Sequence, residues 1–421
     1  MAQAGRPRAP AAPAAVTPRG ASATPTVVTV NAYSERWLRQ GFPWVYPAEL
    51  TGARPRAGSW VAIRGAQGAD LGAGVADDGW ISVRRFVAEV APLSGDLLAE
   101  RLAAAAARRQ AVVDVNTTAW RWVNAENDDM PGIRVDVYGA DLVLTVDSAS
   151  LELLLPELVG ALRRGPPGIA SFEAVRSIHL AWRPDPRDHN LRAPTRAGTC
   201  IWGEAPDEVE VKERGIRVWV RPGAGKDIGL YTDMRDNRRW LESYWRGRRL
   251  LNLFGHTGMF SVSAAAHGAR ETVTVDLSGP ALDVARRNFE LNQLDLGPHS
   301  FVEADVFKVL DRFRRQGRRF DVVLADPPGF SHGEQGLWSG ENDYPRLVAA
   351  CLSVLEPGGW LVAASNLGSV SPKQFQGHLA DGARRAGRSL RLLHEGGAAP
   401  DHPAALAFPE GRYLKLWVMA A

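Results

Sequence analysis

The sequence contains few cysteines, few lysines and no long apolar run. Cys200 and Cys351 are its only cysteines in 421 residues. Two cysteines cannot build a disulfide framework, and no secretory apolar segment precedes them, so we expect a reducing, cytoplasmic location. No stretch of about 18 consecutive apolar residues occurs, which excludes a membrane-spanning helix. No group of cysteines and histidines has the spacing of metal ligands, so we expect no metal.

Positive and negative charges are nearly balanced. The 50 basic and 47 acidic residues give a net charge of +3, and the isoelectric point is about 9.0. This balance permits a polyanionic partner without requiring one. Five of the basic residues are lysine and the rest are arginine, a bias that suits phosphate recognition and that a GC-rich genome also produces. The hydrophobic fraction of 45% is that of a globular protein and excludes a wholly disordered chain.

Changes in composition along the chain predict a tail and three domains. Residues 1–26 are rich in alanine, proline and arginine and contain no aromatic residue, so we expect them to be disordered. An organelle transit peptide is the alternative for this tail, but its five prolines disfavour the amphipathic helix that such a peptide forms. The three domains are predicted at 27–93, 94–210 and 211–421.

The three predicted domains differ in their sequence patterns. Residues 27–93 contain several short β-branched or alternating segments and one helix, at 34–46, which predicts a small closed β-barrel. Residues 94–210 combine an alanine-rich helix with strands and end in an irregular stretch, which is an α+β pattern. From residue 211 onward near-continuous apolar strands alternate with helices. This alternation predicts an α/β fold, with a mostly parallel sheet covered by helices on both faces.

Polar residues follow four of these apolar strands, where ligands of α/β sheets bind. Asn252 and a turn with two glycines follow the first strand, and glycine lets a ligand approach the backbone closely. The glycine spacing is not G-x-G-x-x-G, which disfavours a dinucleotide. Asp276 is placed to accept hydrogen bonds from both hydroxyls of a ribose, and Asp305 is placed to meet an adenine amino group. The fourth strand ends at Asp326, in a D-P-P-G-F turn.

Together these strand ends resemble the S-adenosylmethionine (SAM) methyltransferases of the Rossmann-like class I. The resemblance implies that SAM is the cofactor, and it implies a set of residues that bind it. The implied cofactor-binding residues are Asp233, Arg235, Asn252, Phe254, Gly255, Thr257, Gly258, Asp276, Ser278, Asp305 and Asp326.

Longer motifs narrow the resemblance to one family. Residues 226–238 resemble the K-T-G-x-[YF]-x-D-Q-R-x-x-R segment of large-subunit ribosomal RNA methyltransferases. Residues 252–260 resemble their N-x-F-x-Y-T-G-x-F segment, with His256 in place of tyrosine, and residues 37–46 resemble the opening of a PUA domain. Over about 28–421 the sequence is similar to bacterial 23S rRNA cytosine-C5 methyltransferases that carry an N-terminal PUA domain. The resemblance implies large-subunit ribosomal RNA as the partner and an RNA-binding, PUA-like barrel.

One departure from this family concerns its chemistry. Cytosine C5 is a weak nucleophile, and the family activates it with a cysteine that adds to C6. That cysteine lies in an S-C-S-G segment after the fifth strand, where this sequence has Ser365 and Asn366. Cys351 lies in an apolar helix, where a buried structural role is expected, and Cys200 lies outside the catalytic domain.

The D-P-P-G-F turn at Asp326 and the pair Ser365 and Asn366 resemble the guanine-N7 branch of 23S rRNA methyltransferases. That branch has D-P-P-x-F-S and S-N at these two places. Guanine N7 is already nucleophilic, so the enzyme needs only to position it and to exclude water. We therefore predict methylation of a base of 23S rRNA, with guanine N7 favoured and cytosine C5 as the alternative. The predicted catalytic residues are Asp326, Pro327, Pro328, Phe330 and Asn366.

Two other classes of function stay open at the level of sequence. One is a catalytically idle RNA-binding assembly factor, against which the intact strand-end residues argue. The other is a methyltransferase of small molecules or proteins, against which the retained barrel and middle domain argue. The sequence leaves the oligomeric state open, a homodimer included.

Overall fold

The computed structural model describes most of the chain beyond the N-terminal tail. The described ranges are 25–184, 187–188, 192–225, 228–333, 336–339 and 343–421. For residues 330–333 and 336–339 the description covers the backbone alone. The predicted disordered tail lies outside these ranges except for its last two residues, and Lys226 and Asp227 of the first family motif also lie outside them. No helix in the described ranges combines the length and apolarity that crossing a membrane requires.

The first sheet is a five-stranded half-barrel with the order β1-β3-β4-β5-β2. Its strands are β1 (Thr26–Val30), β2 (Trp44–Val45), β3 (Trp60–Gly65), β4 (Asp70–Ala76) and β5 (Val83–Val87). Helix α1 (Ala32–Arg39) begins after Asn31, whose side chain accepts a hydrogen bond from the amide of Ser34. It is shorter than the predicted helix 34–46, because Gly41 adopts a φ of 98° and Pro43 has no amide proton.

The second sheet also has five strands, in the order β10-β9-β8-β7-β6. They are β6 (Ala119–Asn124), β7 (Ile133–Tyr138), β8 (Asp141–Val146), β9 (Ser177–Trp182) and β10 (Thr199–Gly203). Helices α2 (Gly95–Arg109) and α3 (Leu155–Leu162) pack on it. Strand β10 corrects the expectation of an irregular stretch. It is a half-buried edge strand whose register shifts between Cys200 and Trp202, so it lacks the apolar alternation that would identify it.

A hairpin of β11 (Val209–Glu213) and β12 (Ile216–Val220) leads into the third sheet. The predicted boundary between residues 210 and 211 lies inside β11, so the loop before Val209 is the better division. The third sheet has seven strands, in the order β15-β14-β13-β16-β19-β21-β20. They are β13 (Arg249–Leu253), β14 (Glu271–Asp276), β15 (His299–Glu303), β16 (Phe320–Ala325), β19 (Leu355–Ser365), β20 (Arg391–Gly396) and β21 (Lys415–Ala420).

The parallel part of this sheet confirms the predicted α/β fold. Strands β13, β14, β15, β16 and β19 are parallel, and β21 returns antiparallel between β19 and the edge strand β20, which runs in the same direction as β19. The sequence does not predict this return, because both strands follow the last predicted helix. A short ribbon of β17 (Phe330–Gly333) and β18 (Gly336–Ser339) follows β16.

Helices cover both faces of the third sheet, which explains the near-continuous apolar character of its strands. The helices are α4 (Arg235–Leu241), α5 (Met259–Ala266), α6 (Gly279–Leu291), α7 (Val306–Arg315), α8 (Tyr344–Ser353) and α9 (Pro372–Arg385). Successive residues of β13 point to opposite faces. Leu251 and Leu253 pack with residues of α7, α8 and α9, whereas Leu250 packs with Trp245 and with Phe260 of α5.

The loop before β21 contacts all three sheets, and its fully buried Asp401 joins the second to the third. Its carboxylate accepts two hydrogen bonds from the guanidinium of Arg235, at 2.6 and 3.1 Å, and one from the backbone amide of Arg121, at 2.9 Å. Its backbone carbonyl accepts a hydrogen bond of 2.8 Å from Arg109. Further along the same loop, the ring of Phe408 packs on Trp44 of the half-barrel, with centroids 4.7 Å apart.

Replacing Asp401 should destabilise the whole protein. In Asp401→Ala the guanidinium of Arg235 stays buried and keeps only its contact with Asp236, and breaking a buried pair costs about 3–5 kcal/mol. The shift in the denaturant midpoint of unfolding measures this loss. The control is Asp311→Ala, which removes an exposed carboxylate paired with Arg314 on α7 and should barely move the midpoint. An Asp401→Ala midpoint equal to that of the wild type would contradict the role of this junction.

Candidate active site

The carboxyl ends of β13, β14 and β16 lie side by side, because these strands are parallel neighbours in the sheet. A cavity of about 510 Å³ opens at this edge. Most of the predicted site residues line it, although they are far apart in the sequence. The lining residues that the sequence predicts are Asp233, Asn252, Phe254, Gly255, Thr257, Asp276, Asp305, Asp326, Pro327, Pro328 and Asn366.

The turn after β13 forms one wall of the cavity and has an unusual backbone. Phe254, His256 and Gly258 have positive φ angles of 58°, 47° and 77°. Side chains disfavour this conformation, so Phe254 and His256 store strain of a kind that clusters at functional sites. Gly255 lies between them, and a Cβ there would come within 2.5 Å of a methyl carbon of Thr274. Only glycine therefore fits at this position of the turn.

Hydrogen bonds fix the orientation of two carboxylates in the cavity. Asp276 accepts one from the amide of His256, at 2.8 Å, and one from the amide of Ser278, at 2.9 Å, on different oxygens. Asp305 caps α7, and its Oδ1 accepts from the amides of Phe307 and Lys308 at 2.9 and 3.1 Å. A carboxylate oxygen has two lone pairs, so Asp276 keeps acceptor capacity on both oxygens for a ligand.

Comparison with known families agrees with this arrangement. A family model described as S-adenosylmethionine-dependent methyltransferase matches residues 155–408, and a PUA-like domain model matches residues 28–86. The chain belongs to the SAM-dependent methyltransferase family. The predictions of an enzyme, of SAM as its cofactor and of a PUA-like N-terminal domain are thereby confirmed.

Relatives and solved structures match this methyltransferase along most of its length. The ribosomal RNA large subunit methyltransferase I of Tolumonas auensis is 33% identical over 403 residues, covering 94% of this chain and 99% of the relative. The protein of the same name from Photobacterium profundum is 34% identical over 391 residues, covering 90% and 96%. A methyltransferase solved with S-adenosylhomocysteine has a TM-score of 0.84 at 23% identity, covering 94% of this chain and all of that one, which supports the fold.

Some predicted residues are not part of the cavity wall. The guanidinium of Arg235 pairs with Asp401, so this residue belongs to the junction between the sheets. Ser278 caps α6, and Gly258 packs so tightly that a Cβ would lie 2.8 Å from that of Ala285. The side chain of Phe330 lies outside the described residues. In the described ranges, no group of three or more His, Cys, Asp or Glu side chains is placed to hold a metal ion.

The cavity of the methyltransferase also contains residues that sequence reasoning did not assign. The rings of Tyr231 and His256 lie against each other, with centroids 5.5 Å apart. Both residues fall inside the family motifs, which could have identified them. Arg183, which follows β9 of the second sheet, and Arg346 of α8 also line the cavity. No local sequence pattern predicts that Arg183 lines the cavity, because its position depends on how the second and third sheets pack.

Buried polar groups fix the end of β19, from which Asn366 follows. The hydroxyl of Tyr344 donates a hydrogen bond of 2.7 Å to the carbonyl of Ala364. The ammonium of Lys415 donates to the carbonyls of Leu367 and Val370, at 2.6 and 2.8 Å. Burial lowers the pKa of Lys415 to about 8. The loop that carries Asn366 is thus held on both sides by side chains from α8 and β21.

Neither cysteine lies in the wall of the cavity. Cys351 is fully buried in α8, and burial raises the pKa of its thiol well above the usual range. Cys200 lies in β10 of the second sheet. Because thiolate is the nucleophilic form of cysteine, a thiol held protonated is poorly suited to attack a base.

Among the carboxylates that line the cavity, Asp326 has a strongly raised pKa. Burial, with a smaller contribution from the nearby carboxylate of Asp233, raises its pKa to about 7, while Arg238 opposes both effects. Asp233 accepts a hydrogen bond of 2.6 Å from the hydroxyl of Tyr413. Asp326 therefore exchanges its proton near neutral pH, whereas an ordinary aspartate does so near 3.8.

The raised pKa of Asp326 predicts a pH-dependent effect on stability. Folding disfavours the charged form of this carboxylate. As pH rises from its ordinary pKa of 3.8 to its folded pKa of about 7, the charge therefore lowers the free energy of unfolding by a growing amount, which is constant above that range. The Asp326→Asn variant should therefore unfold at higher denaturant than the wild type at pH 8. The gain should be much smaller at pH 5. As a control, Asp283→Asn changes an exposed residue of α6 and should show no such trend. A gain that does not depend on pH would contradict the raised pKa.

Proposed function

We propose that this methyltransferase methylates a base of large-subunit (23S) ribosomal RNA. The observation that carries the proposal is the similarity, over nearly the whole length of both chains, to proteins named ribosomal RNA large subunit methyltransferase I. The PUA-like half-barrel and the second sheet support it, because they add surface that a small substrate would not use. Mass spectrometry of ribosomal RNA nucleosides from cells with and without the gene tests it. We also propose that the protein is cytoplasmic and that its domains divide after residue 93 and before Val209.

The cavity wall fits SAM by the chemistry of its side chains and backbone. Asp276, oriented by two backbone amides, accepts hydrogen bonds from the ribose hydroxyls in this proposal, and Asp305 lies near the adenine amino group. Asn252, Phe254 and the turn of Gly255 and Thr257 provide the remaining wall. Asp233 and Asp326 lie beside this set. When bound, SAM supplies an electrophilic methyl group, and the residues of the chain hold the acceptor base in line with it.

The proposed acceptor is a purine nitrogen, guanine N7 first. Its lone pair lies in the plane of the base and carries no proton, so transfer needs no covalent activation and no general base. Asp326 with Pro327 and Pro328 forms the wall that would hold the edge of an extruded base, next to Asn366, which follows the neighbouring strand β19. Phe330 is assigned to stacking on the basis of the motif. An ionised Asp326 would accept hydrogen bonds from the N–H groups of guanine and favour the positive charge of the methylated ring.

Cytosine C5 is the second candidate acceptor, favoured by the family motifs of the whole chain. A C5 mechanism requires a thiolate within reach of C6. The described cavity wall contains no cysteine, and Cys351 is fully buried. These observations support the nitrogen acceptor over the carbon acceptor.

The assignment of Asp276 to the ribose predicts a loss of cofactor affinity in Asp276→Ala. Hydrogen bonds to a charged group contribute about 1.5–3 kcal/mol, so the dissociation constant for SAM should rise about ten- to hundredfold in calorimetric titration. Asp283→Ala on the exposed face of α6 is the matched control and should bind like the wild type. An unchanged constant in Asp276→Ala would remove this residue from the site. Absence of binding to the wild type at millimolar SAM would instead favour a catalytically idle RNA-binding factor.

The nitrogen acceptor predicts that ribosomal RNA containing 5-fluorocytosine fails to trap the enzyme, because trapping depends on addition of a thiolate to C6. The Cys200→Ser/Cys351→Ser double variant should also stay active on ordinary RNA. Denaturing electrophoresis of labelled RNA detects an adduct, and circular dichroism confirms that the double variant is folded. A denaturant-stable adduct with the wild type, or loss of activity specific to Cys351→Ser in a folded protein, would favour the cytosine mechanism.

A further inference from the structure

One arginine of the cavity wall comes from the second sheet. Arg183 follows β9, whereas the other described lining residues all come from residue 229 onward. The other arginines of the wall have contacts: Arg238 donates two hydrogen bonds to Glu213, and Arg346 lies over the ring of Phe307. Arg183 is exposed, and among the described residues no side chain forms an ion pair or hydrogen bond with its guanidinium.

The backbone holds Arg183 at this position. Strand β9 runs parallel to β8, and the amide of Arg183 continues the pairing with a hydrogen bond of 3.0 Å to the carbonyl of Val146. Two residues earlier, Ala181 packs against a cluster that contains Leu230 and Met259 of the catalytic domain. The end of β9 is therefore fixed against the cavity, and its arginine is not placed there by a loose loop.

The charges of the cavity explain why a cation is needed at this edge. Five carboxylates line the cavity, those of Asp233, Asp276, Asp305, Asp326 and Asp343, and together they repel a phosphate. A nucleotide that inserts its base keeps its backbone phosphates at the rim of the pocket. Guanidinium binds phosphate through two parallel hydrogen bonds, which fixes the orientation as well as the position of the group.

We propose that Arg183 binds a backbone phosphate of the RNA next to the nucleotide that is methylated. The proposal rests on the proposed function and adds that the second sheet takes part in substrate binding at the catalytic cavity. A second anion could occupy the same guanidinium, namely the carboxylate of the cofactor. The exposure of Arg183 favours the phosphate, which approaches from solvent, and the experiment separates the two.

The test compares Arg183→Ala and Arg183→Lys with the wild type in two measurements. Calorimetry gives the dissociation constant for SAM, and filter binding of a 23S rRNA fragment over a range of salt concentrations gives the RNA affinity. We expect unchanged SAM binding in Arg183→Ala, an RNA affinity about ten- to hundredfold lower, and a log–log salt slope smaller by about 0.7. Lysine keeps the positive charge but cannot form two parallel hydrogen bonds to one phosphate. Arg183→Lys should therefore recover the salt slope and part of the RNA affinity. The control is Arg164→Ala, an exposed arginine after α3 that does not line the cavity.

The outcomes distinguish this assignment from the function on which it rests. RNA affinity and salt slope equal to those of the wild type in Arg183→Ala would overturn the assignment and leave the proposed function intact. A weaker SAM affinity with unchanged RNA affinity in Arg183→Ala would indicate that Arg183 binds the cofactor carboxylate, and it would overturn the phosphate assignment. A wild-type enzyme that neither binds nor methylates the fragment would overturn the proposed function and the assignment together.

Discussion

The buried carboxylate of Asp401 is the interaction that joins the second sheet to the third. Burial alone would raise its pKa, but His402 and Arg235 hold the pKa well below its usual range. A lowered pKa means that the charge stabilises the fold above the ordinary aspartate value and is lost only as pH falls through the lower folded value. The junction therefore keeps its charge under all but strongly acidic conditions. A neutral residue could not satisfy the guanidinium of Arg235 in the same space.

This junction and the catalytic cavity share one short segment of chain. Arg235 begins α4, two residues after Asp233, which lines the cavity, and the carbonyl of Asp233 accepts a hydrogen bond of 2.9 Å from the amide of Ala399. Arg238 of the same helix lines the cavity and bonds Glu213 of β11. A change that loosens Asp401 would therefore displace cavity residues too. The domains are joined through the segment that shapes the catalytic site, so stability and activity are coupled here.

Much of the third sheet could be predicted from the sequence because its strands are buried on both faces and its site residues follow them directly. Asn252, Asp276 and Asp326 lie together since parallel neighbours end at the same edge. The insertion of β21 antiparallel between β19 and β20 could not be predicted, because nothing local distinguishes an antiparallel strand at this side of the sheet. Arg235 illustrates the limit: its motif suggested a ligand contact, but its partner Asp401 lies 166 residues away. Arg183 was missed for the same reason, since packing between sheets leaves no local pattern.

The two halves of the cavity depend on different parts of the fold, and this separation bears on the choice of acceptor atom. In the half formed by the turn after β13, Asp276 and Asp305 are oriented by backbone amides that donate to their carboxylates. The opposite wall at Asn366 is fixed by Tyr344 and Lys415, through carbonyls of the chain on either side of it. These contacts go to backbone atoms, so they do not require a particular side chain at residue 366. A cysteine or an asparagine can therefore occupy this position without changing these contacts, so in the proposed function the acceptor atom can differ while the proposed SAM-binding residues stay the same.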